Sequence, residues 1–178
     1  MNHNSITNQD TKEVTDLFTS VFTSSEGEEE GKLIGKLVSE LTSNIDINEI
    51  FCFGAYIQKL LVGSIFLTRL RFEESHSVYM LAPVAVRTGY QGKGIGQSLI
   101  KYGLEEMKNL SVEVVVTYGD PSYYSKAGFQ PLSESVIQAP LALSMPVGWQ
   151  GCSLAGDAIP IINECPTCVK EFNDPIYW

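Results

Sequence analysis

The sequence predicts an α/β (α+β) fold in which a mixed central sheet is flanked by helices. Apolar residues recur at helical spacing in two N-terminal segments, whereas later segments are continuous apolar runs typical of buried strands. A strand at 77–86, a glycine-rich loop, a helix at 92–107 and a strand at 112–118 then form a crossover, which makes the two strands parallel. The 178 residues are expected to form one domain, 1–178.

The N-terminal part is predicted to be mainly helical. Residues 1–5 are interpreted as a frayed tail and 6–8 as a short first strand. A helix is predicted over 11–22 from the apolar residues Val14, Leu17, Phe18, Val21 and Phe22. The acidic stretch 24–31 is interpreted as a link. It either forms a lip for a cationic substrate or favours the N-terminus of the next helix. The apolar face of that helix comprises Leu33, Ile34, Leu37, Val38 and Leu41.

Strand signals follow. The runs EIFCFGAYI (49–57) and LLVGSIFLTRLRF (60–72) predict a hairpin that turns at Gln58 and Lys59. The segment PSYYSKAG (121–128) predicts a short helix that begins at Pro121 and ends at Gly128. In the C-terminal part, 132–178, strands are expected within VIQAPLAL and AIPIIN.

Charge and hydropathy exclude several partners. The formal charge of −9 argues against nucleic acid and mildly favours cationic small molecules such as amines. No apolar run approaches the roughly 20 residues of a membrane span. The first residues, MNHNSITNQD, lack the pattern of a signal peptide. A cytoplasmic protein without a membrane partner is therefore expected.

The four cysteines do not predict a metal centre. Cys165 and Cys168 form a CxxC pair, but a zinc site needs further ligands, and His3 and His76 are far away in sequence. Structural thiols, half a metal site and a redox pair remain open for this pair. We expect no metal.

The segment GYQGKGIGQSLI (89–100) carries the chemistry. A helix N-terminus offers unpaired N–H groups, and glycines remove the side chains that would keep an anion away. Gly92, Gly94 and Gly96 therefore predict an anion cradle. Neither common phosphate motif fits, because Gln97 replaces the third glycine of G-x-G-x-x-G and Ile95 replaces the lysine of the P-loop.

A third pattern does fit. The residues QGKGIG (91–96), which follow LAPVAV, resemble the acyl-CoA motif Q/R-x-x-G-x-G/A of the GCN5-related N-acetyltransferase (GNAT) family. Downstream, YYSKAGF (123–129) resembles the family's Y-x-x-x-G-F segment, so that the likeness covers a core motif at about 77–131. The run GDPSYY further resembles a branch of largely uncharacterised bacterial members.

The resemblance implies acetyl-CoA as co-substrate, and a GNAT-like sheet in which two parallel strands splay apart to form the acyl-CoA cleft. It places the pyrophosphate on the loop and the first helical turn, namely Gln91, Gly92, Lys93, Gly94, Ile95, Gly96 and Gln97. The pantetheine arm would lie along Val84, Ala85 and Val86, and Pro83 suits a strand that leaves its neighbour.

The resemblance also implies catalytic roles. The Val84 N–H would polarise the acetyl carbonyl, and Tyr124 would protonate the leaving thiolate. The family's base positions fall on Met80 and Ala82, which cannot titrate, so the base stays open among His76, Glu73, Glu74, Asp120 and a water chain. Tyr118 stands where many relatives carry an asparagine that contacts the pantetheine.

The function implied by the resemblance is transfer of an acetyl group from acetyl-CoA to a primary amine, by direct attack. The preferred acceptor is the amine of a small molecule. Acetylation of a protein or peptide and an inactive acyl-CoA sensor are the alternatives. A homodimer agrees with family habit, although the sequence itself does not show one.

Overall fold

The computed structural model describes all residues, 1–178, and contains one seven-stranded sheet. The strands are β1 (Asn2–Ser5), β2 (Ile50–Ile57), β3 (Leu60–Leu70), β4 (Val78–Val86), β5 (Val114–Tyr118), β6 (Gln130–Pro131) and β7 (Trp149–Ser153). The helices are α1 (Thr11–Glu26), α2 (Glu28–Ser43), α3 (Ile95–Asn109) and α4 (Pro121–Tyr124). The strand order is β1-β2-β3-β4-β5-β7-β6.

The sheet is mixed, as predicted. Strands β4 and β5 pair in parallel, which the crossover through α3 requires. Antiparallel pairs join β1 to β2, β5 to β7 and β6 to β7. Gln58 and Lys59 have φ values of 49° and 69°, so the predicted hairpin closes through two left-handed residues. The α/β fold class is confirmed.

The chain forms two compact units, and the single-domain expectation stays a prediction. The first comprises 1–67 and 83–103. In it, α1 packs on α2, and a side chain at Gly31 or Gly35 would collide with Thr23 or Thr19 of α1. Glycine therefore permits the close approach of these two helices.

The second unit comprises 68–82 and 104–178. Its core contains an aromatic cluster around Trp178, whose ring stacks on Tyr118 and lies 6.3 Å from Trp149 and 6.4 Å from Phe172. The Trp178 indole N–H donates to the Phe172 carbonyl at 2.8 Å. The last residue is only 4% exposed and belongs to this core.

Two N-terminal expectations were wrong. The first strand lies at Asn2–Ser5, within the supposed tail, and pairs with β2. Ile6 follows that strand and is buried. The acidic stretch is no link, because Gly27 alone separates the helices, and Glu28, Glu29 and Glu30 form the first turn of α2. Three carboxylates there stabilise the helix N-terminus.

The C-terminal strands were also misplaced. The strands are Gln130–Pro131 and Trp149–Ser153, whereas VIQAPLAL and AIPIIN contribute one isolated bridge between Ile137 and Ile162. Each of those apolar runs contains a proline, Pro140 or Pro160, which cannot donate to a ladder.

Candidate functional site

The glycine loop connects β4 to α3. A 3₁₀ turn at Thr88–Tyr90 precedes it, and Gly92 and Gly94 have φ values of 72° and 75°. These left-handed conformations are easily reached only by glycine, so α3 begins at Ile95 and not at the predicted Gly92. The Ser98 N–H donates to the Gly94 carbonyl at 2.9 Å and closes the first turn of the helix.

The start of α3 has the properties of an anion cradle. The N–H groups of Ile95, Gly96 and Gln97 precede the first bond within the helix, and the helix dipole adds partial positive charge. A side chain built at Gly89, Gly92 or Gly94 would meet no atom within 4 Å. The loop therefore presents bare backbone to open space.

Two side chains tie the loop to its own backbone. Gln91 Nε2 donates to the Val86 carbonyl at 2.9 Å, which joins the loop to the end of β4. Lys93 Nζ donates to the Gly89 carbonyl at 3.1 Å and lies 5.2 Å from the centre of the Tyr90 ring. A positive charge is thus held within the loop.

The end of β4 is oriented by its bonds to β3. The Arg87 N–H donates to the Val62 carbonyl at 2.8 Å, and the guanidinium donates to the Leu61 carbonyl. Because successive N–H groups of a strand point to alternate sides, those of Val84 and Val86 point away from β3. Both side chains are half-buried, whereas Ala85 is buried.

The parallel ladder between β4 and β5 is short. Its register runs from Val78↔Val114 to Leu81↔Thr117, although β4 continues to Val86. At the ladder's last pair, Thr117 Oγ1 donates to the Leu81 carbonyl at 2.8 Å. The paired part of the two strands therefore ends at Leu81 and Thr117.

Tyr124 lies in α4, within the second unit, and is 9% exposed. A side chain at Gly119 would approach its Cε2 atom to 2.8 Å, so Gly119 leaves room for the ring. Burial raises the pKa of the phenol to about 12, and a hydrogen bond with Thr117 acts in the opposite direction. The group is a protonated donor at neutral pH.

The candidate bases have structural partners. Asp120 caps α4 by accepting from the Ser122 N–H at 2.8 Å and from its hydroxyl at 2.7 Å, and these bonds lower its carboxyl pKa. His76 lies 3.5 Å from Glu74 and 3.8 Å from Glu113. The Glu73 N–H donates to Glu164. Asp120 is thus a weaker base than an ordinary aspartate.

Tyr118 ends β5 and fastens a loop. Its phenol oxygen accepts from the Met145 N–H at 2.7 Å and lies 3.0 Å from the Ser144 hydroxyl. Gly148 closes this loop, and a side chain there would lie 3.1 Å from the Tyr118 ring. Met145 and Val147 are 63% and 67% exposed on its surface.

No cluster of three or more histidine, cysteine or acidic side chains could hold a metal ion. Cys165 is exposed and Cys168 half-buried, both as free thiols. None of the helices combines the length and the apolar composition that a membrane-spanning helix requires.

The structure brings the loop residues and the end of β4 together in the first unit, through the bond from Gln91 to Val86. Tyr124 lies in the second unit with Thr117. Sequence analysis missed Thr117. Its signal was a hydroxyl directly after the three valines at 114–116.

The family model described as "Acetyltransferase (GNAT) domain" matches residues 2–132. The uncharacterised N-acetyltransferase YjhQ of Escherichia coli is 38% identical over 73 residues. That alignment spans 39% of this chain and only 40% of YjhQ.

Solved structures share the fold. The YhbS N-acetyltransferase of Escherichia coli, solved with CoA, has a TM-score of 0.79 at 22% identity, over 97% of this chain and 92% of that one. A GNAT acetyltransferase of Brucella melitensis, solved with acetyl-CoA, has a TM-score of 0.66 at 21% identity, over 92% and 94%.

Proposed function

Because the chain belongs to the GNAT family of acetyltransferases, we propose that it transfers an acetyl group from acetyl-CoA to a primary amine of a small molecule. The glycine loop carries this proposal. Its left-handed Gly92 and Gly94 hold the backbone open before the N-terminus of α3, where a pyrophosphate would accept hydrogen bonds.

Acetyl-CoA is the proposed co-substrate, because YhbS and the Brucella protein were solved with CoA and acetyl-CoA. Gln91, Gly92, Lys93, Gly94, Ile95, Gly96 and Gln97 would hold its pyrophosphate. Lys93 would add a positive charge, since its ammonium is already held within the loop. Val84, Ala85 and Val86 would bind the pantetheine arm, in line with N–H groups of Val84 and Val86 that point away from β3.

The proposed chemistry is direct attack of a neutral amine on the thioester. The Val84 N–H would stabilise the oxygen that becomes negative, a contribution worth roughly 3 kcal/mol for a well-placed donor. Tyr124 would protonate the thiolate. Its pKa of about 12 keeps it protonated at neutral pH, so that its proton is available when the thiolate leaves.

The acceptor class is inferred from the net charge of the chain. A net charge of −9 favours a cationic amine over a phosphorylated or otherwise anionic one. A peptide amine is the second enzymatic candidate. A catalytically inactive acyl-CoA sensor is the third, since Met80 and Ala82 occupy the family's base positions and Asp120 serves as a helix cap.

The test is product formation from acetyl-CoA across a panel of free amines with one lysine peptide, followed by mass spectrometry. Mass is preferred to a thiol dye because the chain has four free cysteines. An acetylated free amine would support the proposal. If the lysine peptide were the only acetylated product, the acceptor would be a protein and not a small molecule. Acetyl-CoA binding without any product would favour the sensor.

A further inference from the structure

Gln150 is a buried carboxamide on β7. It is 1% exposed, and it lies beyond residues 2–132, the part of the chain that the GNAT family model matches. Its Oε1 atom is buried without a hydrogen-bond partner. Burying a polar atom in this way is unfavourable, and an apolar side chain at this position would avoid the cost. The amide nitrogen of Gln150 therefore calls for a function.

This nitrogen donates to two backbone carbonyls at the end of the β5–β7 ladder. Nε2 lies 3.2 Å from the Gly119 carbonyl oxygen and 3.3 Å from the Gly148 carbonyl oxygen. Because carbonyl oxygens only accept, the nitrogen of the amide and not its oxygen must face them. The Gly119 N–H also donates to the Gly148 carbonyl, at 3.0 Å. Gln150 thus joins the residue that follows β5 to the residue that precedes β7.

The Gly119 carbonyl belongs to the peptide unit that leads into α4. That peptide unit ends at Asp120, whose carboxylate caps α4 by accepting from the Ser122 N–H. The Asp120 carbonyl accepts from the Tyr124 N–H at 3.2 Å. Gly119 also leaves space for the Tyr124 ring, because a side chain there would come within 2.8 Å of it. A rotation of the peptide unit between Gly119 and Asp120 would therefore move the start of α4 and the ring with it.

We propose that Gln150 is a positioning residue for Tyr124, which it holds by fixing the Gly119 carbonyl ahead of α4. It acts on Tyr124 through the backbone of Gly119 and Asp120. The kinetic part of this inference rests on the proposed function, in which Tyr124 is the acid. The structural part, in which the carboxamide determines the place of the phenol ring, does not depend on any activity.

The first experiment needs no substrate. The full chain is labelled with ¹³C at tyrosine Cζ, and the Tyr124 resonance is assigned with Tyr124→Phe. Gln150→Met keeps the length of the side chain but removes both N–H groups, so it should shift the Tyr124 resonance. Thermal melting checks that each variant is folded, and Gln150→Leu is the second apolar replacement if Gln150→Met does not fold.

Trp149→Phe is the matched control. Trp149 precedes Gln150 in β7, so its side chain points to the opposite face of the sheet. Its buried indole N–H donates to the Ile137 carbonyl at 2.9 Å. The substitution therefore removes a buried hydrogen bond from β7 to a backbone carbonyl without touching Gly119. It should lower the melting temperature and leave the Tyr124 resonance in place. An unchanged resonance on apolar replacement of Gln150, or an equal shift in Trp149→Phe, would overturn the proposal.

The second experiment measures turnover in a double-mutant cycle. Gln150→Met should lower kcat about two- to tenfold, the range for one lost hydrogen bond, and leave the affinity for acetyl-CoA unchanged. In the Tyr124→Phe background, Gln150→Met should have no further effect on kcat. An equal loss of kcat in both backgrounds, or a loss of acetyl-CoA affinity without a loss of kcat, would refute the positioning role. If no amine is acetylated, the Tyr124 resonance alone decides about Gln150, and the failure belongs to the proposed function.

Discussion

Gly94 offers the most direct test of the anion cradle, through substitution by glutamate, glutamine and alanine. Its φ of 75° is left-handed, and a side chain there would meet no atom within 4 Å. Any substitution thus strains the backbone by roughly 1–2 kcal/mol without a clash in the free protein. All three variants should lose about this much free energy of unfolding.

Charge separates the variants in binding. Two like charges 4 Å apart repel by about 1 kcal/mol in water and by about 4 kcal/mol at an effective dielectric constant of 20. Gly94→Glu should therefore bind acetyl-CoA between roughly fivefold and several hundredfold more weakly than Gly94→Gln. The difference should shrink as salt is added, because salt screens exposed charges.

Titration calorimetry with acetyl-CoA, at low and high salt, measures these affinities. Gly89→Ala is the control: Gly89 lies in the same loop with equally open space, but without a left-handed φ. It should change stability by less than about 0.5 kcal/mol. Wild-type affinity in Gly94→Glu, or equal weakening by glutamine and glutamate at both salt concentrations, would refute an anion cradle at this loop.

Three further predictions concern the second unit. Tyr124→Phe should lower kcat while calorimetry shows unchanged acetyl-CoA affinity. The pKa of Tyr124 is about 12 in the folded protein and about 10 in the unfolded chain. Its contribution to the free energy of unfolding is therefore complete below about pH 10 and is lost as the pH rises through about 12. Thermal melting at several pH values should show this loss in the wild type and not in Tyr124→Phe. Trp178→Ala should lower the free energy of unfolding, measured by urea titration, by about 3–5 kcal/mol. An unchanged free energy of unfolding would show that the aromatic cluster does not stabilise the fold. Asp120→Ala should lower Tm at neutral pH. The difference in Tm between the wild type and Asp120→Ala should disappear as the pH falls through the lowered pKa of Asp120. Equal Tm values of the two proteins at pH 7 would contradict a stabilising cap.

The elements with strong periodicity were predictable. The helix predicted over 92–107 is present as α3, with Leu99 and Met107 fully buried. The parallel pair of β4 and β5 followed from the crossover, since chain connectivity leaves no other common arrangement. A 3₁₀ turn at Ser125–Ala127 follows α4, and Gly128, expected to end this helical segment, ends it with a φ of 98°.

The failures have a common physical origin. β1 (Asn2–Ser5) is polar and mostly exposed, so no apolar alternation marks it, and only its pairing with β2 makes it a strand. β7 carries Gly151 and gains its stability from two neighbours, β5 and β6. Thr117 was not predicted as a site residue, because its hydrogen bond to the Leu81 carbonyl joins residues that are distant in sequence.

The position of β7 affects how the sheet assembles. β7 lies between β5 and β6, which have no ladder with each other, yet it follows both in the chain. As the polypeptide leaves the ribosome, the apolar strand β5 has an unpaired edge until residues 149–153 are available. Such an edge is a template for association with other chains. Nascent chains that stop before β7 should therefore be especially prone to aggregate, and the sheet is completed by an inner strand and not by an outer one.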